Sequence, residues 1–78
     1  LSADLNRPAA AALRLAVDRF VGQEATPQVC VRIKKAFIQI MREQFGVDWS
    51  RHAWQIQVSF VDGKKPNLHI PPRLLMRT

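Results

Sequence analysis

The sequence predicts a small α+β fold: two helices, at about 7–21 and 27–45, then a β-hairpin, at about 54–60 and 66–70, and an extended tail. Three observations carry this. Apolar residues recur at helical spacing over the first two stretches, "WQIQVSF" alternates strictly between apolar and polar, and "VDGKK" supplies turn chemistry before the alternation resumes in "PNLHI".

The first helix starts from Asn6, a good N-cap, with Pro8 in the first turn, where a missing N–H costs nothing. Leu13, Ala16, Val17, Phe20 and Val21 form its apolar stripe, and Gly22 is a suitable terminator. The alanine run at 9–12 both favours helix and allows a neighbouring backbone to approach closely.

The second helix has stronger punctuation. Thr26 and Pro27 read as N-cap and first helical residue, and Gly46 closes the helix after Phe45. At about 100° per residue, Val29, Ile33, Ala36, Phe37 and Ile40 make an ordinary core stripe. Cys30, Val31, Ile38, Met41 and Phe45 continue it, so the apolar arc sweeps roughly 200°, against little more than ~100° for a typical surface helix. Arg32, Lys35 and Arg42 form a basic row among the remaining polar positions. Lys34 falls inside the apolar arc, where its methylenes can lie on apolar surface with the ammonium in water.

In the hairpin, the alternation assigns Trp54, Ile56, Val58 and Phe60 to the core face. A two-residue turn at Asp62-Gly63 would set Val58 against Asn67. A loop one residue longer, with Gly63 at a bulge, sets Val58 against Leu68 and Ile56 against Ile70. A one-residue slip moves every side chain to the wrong face, so the longer loop is expected. Pro66 marks the second strand as an edge. Residues 1–70 then form a single small domain and 71–78 an extended basic and apolar tail, whose Leu74 and Leu75 either cover the core or reach another chain.

Seventy-eight residues hold one domain near the lower size limit for a self-sufficient core. With Cys30 the only cysteine, no internal disulfide supplements that core, and the lone thiol favours a reducing, intracellular compartment. No apolar run approaches a membrane span. The net charge of +6 is asymmetric. Residues 1–31 balance Arg7, Arg14 and Arg19 against Asp4, Asp18 and Glu24, so the whole excess lies in 32–78. Such asymmetry favours an acidic partner.

Chemistry is not indicated. His52 and His69 have no paired acid or glycine-flanked nucleophile nearby, and with Cys30 they lack the spacing of a zinc site. The expectation is therefore no catalytic residue, no metal, no cofactor and no small-molecule substrate. It is instead a non-enzymatic interaction or assembly module, homodimeric or part of a larger complex. Its expected contact surface is Val31, Ile38, Met41 and Phe45 with Leu74 and Leu75. The alternative is a small basic domain meeting DNA or RNA phosphates through Arg32, Lys35 and Arg42 on the helix and Lys64 and Lys65 at the hairpin tip.

"VRIKKAF" followed by "REQFGVDW", with "RLAVDRF" before them, resembles the helices of dynein light chains over roughly residues 13–49. That resemblance implies a dimeric, non-enzymatic adaptor that binds peptides by adding a strand at a sheet edge. No binding residue is carried over from it.

Overall fold

The computed structural model describes residues 3–24, 26–61 and 65–77. In chain order these form β1 (Ala3–Asp4), α1 (Asn6–Asp18), α2 (Pro27–Phe45), a 3-10 helix (Ser50–Gln55), β2 (Gln57–Val61), β3 (Lys65–His69), α3 (Pro72–Leu75) and β4 (Met76–Arg77). Two helices followed by a short antiparallel two-stranded sheet make this a small α+β fold.

α2 is the spine, and its ends follow from local chemistry. The Thr26 hydroxyl accepts the Val29 N–H at 3.2 Å, satisfying one of the free amides of the first turn. Gly46 takes φ 69°, a left-handed conformation open to glycine at no steric cost, and Val47 N–H turns back to the Met41 carbonyl at 3.0 Å.

Val29, Ile33, Ala36, Phe37, Ile40 and Met41 of α2 are buried. By the 100° step they occupy an arc of roughly 140°. α1 covers it with its small face, for Ala9, Ala12 and Ala16 are buried in the same cluster. The hairpin adds Val58, Phe60, Leu68 and Ile70, all half-buried against that core, while Gln57, Ser59, Asn67 and His69 point outward to solvent. The loop after α2 contributes Val47 and Trp49. The Trp49 indole lies tilted on the Phe37 ring with centroids 5.9 Å apart. Among the described residues no polar or charged side chain is buried, so the core is held by apolar burial alone.

The hairpin register is the longer-loop one. Val58 lies opposite Leu68 and Val61 opposite Lys65, which leaves three residues, 62–64, between the strands. The expected bulge at Gly63 lies outside the described residues.

Several expectations are corrected. Asn6 is the first helical residue rather than the cap, a position taken by Leu5. α1 ends at Asp18, and Val21 stands exposed beyond it. The chain turns there through Phe20 N–H to the Val17 carbonyl, and Gly22 adopts φ 88°. The hairpin's first strand begins at Gln57 rather than at 54, because residues 50–55 coil into the 3-10 helix. Trp54 therefore stands exposed rather than on the core face. Met41 is fully buried within the core cluster and offers nothing to a partner. The tail is extended only at Met76–Arg77, where it pairs with Ala3–Asp4, and before that Pro72–Leu75 makes one helical turn. Leu5 N–H donates to the Leu75 carbonyl at 2.8 Å, so the two chain ends are clasped and Leu74 and Leu75 rest against the core.

These burials give a direct stability test. Met41→Ala is expected to cost about 2–5 kcal/mol, as for a fully buried methionine. Val31→Ser, at an exposed position, is expected to stay within about 0.5 kcal/mol. Urea denaturation of the two variants checks both.

Candidate interaction surface

The part of α2 left uncovered is not purely polar. Going round the helix from the buried arc, the order is Lys34, Phe45, Ile38, Val31, Arg42 and Lys35. Val31 is 51% exposed and Phe45 36%, Ile38 is half-buried against the core, and Lys35 and Arg42 are exposed. The result is an apolar seam with cations along both sides.

Two grooves lie against this stripe. One, of about 330 Å³, is lined by Cys30, Val31 and Lys34 of α2 together with Trp54 and the 56–59 segment. The other, of about 430 Å³, runs along Lys35, Ile38, Gln39, Arg42 and Glu43, with Asp48, Ser50 and Ala53 opposite. The 3-10 helix borders both, contributing Ser50 and Ala53 to one and Trp54 to the other.

Trp54 is 76% exposed, the largest apolar side chain so presented among the described residues. Its placement follows from how the 3-10 helix is held at each end. At the start, the Asp48 carboxylate accepts the Ser50 N–H at 3.0 Å, an Asx turn that reverses the chain out of the loop. At the far end, Arg73 of α3 donates to the Gln55 side-chain oxygen, and the Gln55 amide meets His52 Nδ1 at 3.3 Å. The clasped C-terminal segment thus fixes the turn that displays Trp54. The alternation of 54–60 hid this residue from sequence reasoning, although Asp48 two residues before Ser50 was a legible turn signal.

Of the residues expected at a protein contact, the structure leaves Val31 and Phe45 open. Ile38, Leu74 and Leu75 are partly covered and Met41 is sealed. Of those expected to meet phosphates, Arg32, Lys35 and Arg42 are exposed on α2. Lys64 lies outside the described residues, as does the side chain of Lys65. Among the described residues no group of three His, Cys, Asp or Glu side chains could hold a metal ion. No helix there is long and apolar enough to cross a membrane.

The Ser50 hydroxyl and then its N–H, with smaller help from Arg42 and Arg51, hold the Asp48 carboxyl below the usual carboxylate range. A carboxyl lowered in the folded state stabilises the fold above its unfolded-state range, and that contribution is lost as pH falls through the folded value. Asp48→Asn should therefore melt below the parent protein at neutral pH. The gap should close towards about pH 2, as followed by thermal melts across that interval.

Comparison with family models, with curated proteins and with solved structures finds no match to this chain.

Proposed function

We propose that this chain is a non-enzymatic module acting by protein–protein contact, as a homodimer or as a subunit of a larger assembly. The observation that carries the reading is the exposure of Trp54 beside Val31, on a domain whose core closes without either. A tryptophan held out by a fixed turn is a poor use of apolar area unless something covers it, and tryptophan is enriched among residues that dominate association energies. The contact surface is Val31, Ile38 and Phe45 with Trp54 added, and Leu74 and Leu75 are secondary to it. The free thiol of Cys30 fits an intracellular, reducing setting. The resemblance over residues 13–49 accords with an adaptor.

One observation favours a second reading. Trp54 lies by Lys34, and Arg32, Lys35 and Arg42 are exposed on the same helix. An aromatic platform among cations is what a single-stranded nucleic acid needs, with bases stacking and phosphates neutralised.

The readings separate by mutation. For protein contact, Trp54→Ala is expected to weaken association by about 2 kcal/mol or more, roughly 30-fold, and Val31→Asp to abolish it. Sedimentation or co-elution with the partner measures both. The double variant Lys35→Glu, Arg42→Glu should matter little to that contact. Sedimentation of the purified chain with a generic duplex or single strand, at two salt concentrations, supplies the counter-test. Tight, steeply salt-dependent retention by a monomer, lost in the double variant, would overturn the protein-contact reading.

A further inference from the structure

Residues 71–77 form a strap across one end of the domain, and it is lightly fastened. α3 buries no residue fully, and Leu74 and Leu75 rest only half-buried on the core. Met76–Arg77 pairs with Ala3–Asp4, the Leu5 N–H donates to the Leu75 carbonyl at 2.8 Å, and Arg73 donates to the side-chain oxygen of Gln55. The last of these ties reaches the 3-10 helix that carries Trp54, and it does not end there. The Gln55 side-chain nitrogen lies 3.3 Å from His52 Nδ1.

The donors and acceptors of this relay constrain one another. A guanidinium has N–H donors and no acceptor, so the Gln55 oxygen must be the atom that faces Arg73. That turns the Gln55 amide nitrogen towards His52. An amide nitrogen only donates, so the relay requires a lone pair on Nδ1, which only the neutral imidazole can present there. A charged ring carries hydrogen on both nitrogens and would set N–H against N–H. Turning the amide over moves the conflict without removing it, since its nitrogen then meets the guanidinium. One amide cannot serve two cations. The charged groups around His52 act in the same sense. In the cavity of about 240 Å³ that it shares with the strap, Arg73 comes from α3 and Asp48 from the loop, while Arg51 is its neighbour on the 3-10 helix. Arg73 repels a charged ring, and Asp48 offers that ring a carboxylate to turn to.

We propose that His52, Gln55 and Arg73 form an acid-sensitive latch, in which protonation of His52 frees Arg73 and loosens both the C-terminal strap and the turn that displays Trp54. Histidine is the side chain whose charge ordinarily changes between about pH 5 and 8. The latch needs the neutral ring, so it is closed above that interval and opens as pH falls through it. All three residues lie beyond 13–49, so nothing of the family likeness enters. The latch is a property of the free chain and goes beyond the protein-contact reading. It needs no partner, so either can fail without the other.

Amide hydrogen exchange of the intact chain tests it, because the Leu5 N–H reports the strap through its bond to Leu75. After correction for intrinsic exchange, protection at Leu5 should fall about three- to tenfold from about pH 7.5 to 5.5, the loss of roughly one net hydrogen bond. The Trp54 indole N–H resonance should shift over the same interval. Gln55→Glu supplies oxygens to both Arg73 and a charged His52, so its protection should hold or rise on acidification. His52→Gln, with no charge to gain, should stay level. His69→Gln, at the other histidine and in a cavity lined by Leu75, should fall as the parent protein does. Circular dichroism checks that the variants stay folded, and if His52→Gln does not, Gln55→Glu decides alone. Level protection in the parent protein, a fall that survives in His52→Gln, or a Gln55→Glu profile that follows the parent's overturns the latch.

Discussion

Everything in this structure depends on covering the inner arc of α2. The chain has a single cysteine and so no internal disulfide, and among the described residues no charged side chain is buried, so apolar area must offset chain entropy. The solution is economical in atoms. Ala9, Ala12 and Ala16 bring α1 close to α2, which lets the large residues of α2 fill the interior rather than compete with large residues opposite. Phe37, Ile33, Ile40 and Met41 then reach full burial with only two strands and one loop on the other side. Trp49 supplies the last large surface by folding onto Phe37 immediately after the glycine turn.

That arrangement determines what remains outside. Beyond the roughly 140° of α2 that is sealed, Ile38 is only partly covered and Val31 and Phe45 stay exposed among the described residues. The chain spends its final residues on the clasp between β1 and β4 and on α3, not on α2. The clasp has a second effect. Through Arg73 and Gln55 it holds the 3-10 helix, and the 3-10 helix sets where Trp54 stands. A change in the tail is thereby connected to the exposed seam by a short chain of side-chain contacts, though the two are separated in sequence.

Legibility in the sequence tracked how local the deciding interaction was. Thr26, Pro27 and Gly46 bound α2 through contacts within one turn, and the structure places its ends where those residues put them. The hairpin register was legible because a slip would have inverted Val58 and Leu68, and one face is buried. The alternation points Trp54 inward, but those seven residues, 54–60, also suit the end of a 3-10 turn followed by a strand. The choice is made by Asp48 before the segment and Arg73 far after it. Met41 sat on the same broad apolar arc as Val31, and periodicity alone ranks them together. Which one is sealed depends on where the hairpin and loop come down, a tertiary matter. The clasp of the ends was invisible for the same reason, since its two strands are two residues long and defined only by each other.

The outer stripe also shows why an apolar seam need not lead to indiscriminate self-association. Phe45, Ile38 and Val31 run between Lys34 on one side and Arg42 and Lys35 on the other. Two such stripes laid together would set cations opposite cations, a like-charge juxtaposition that costs more as the interface dries. The same cations attract a partner of opposite sign and lay their methylenes along the apolar floor it would rest on.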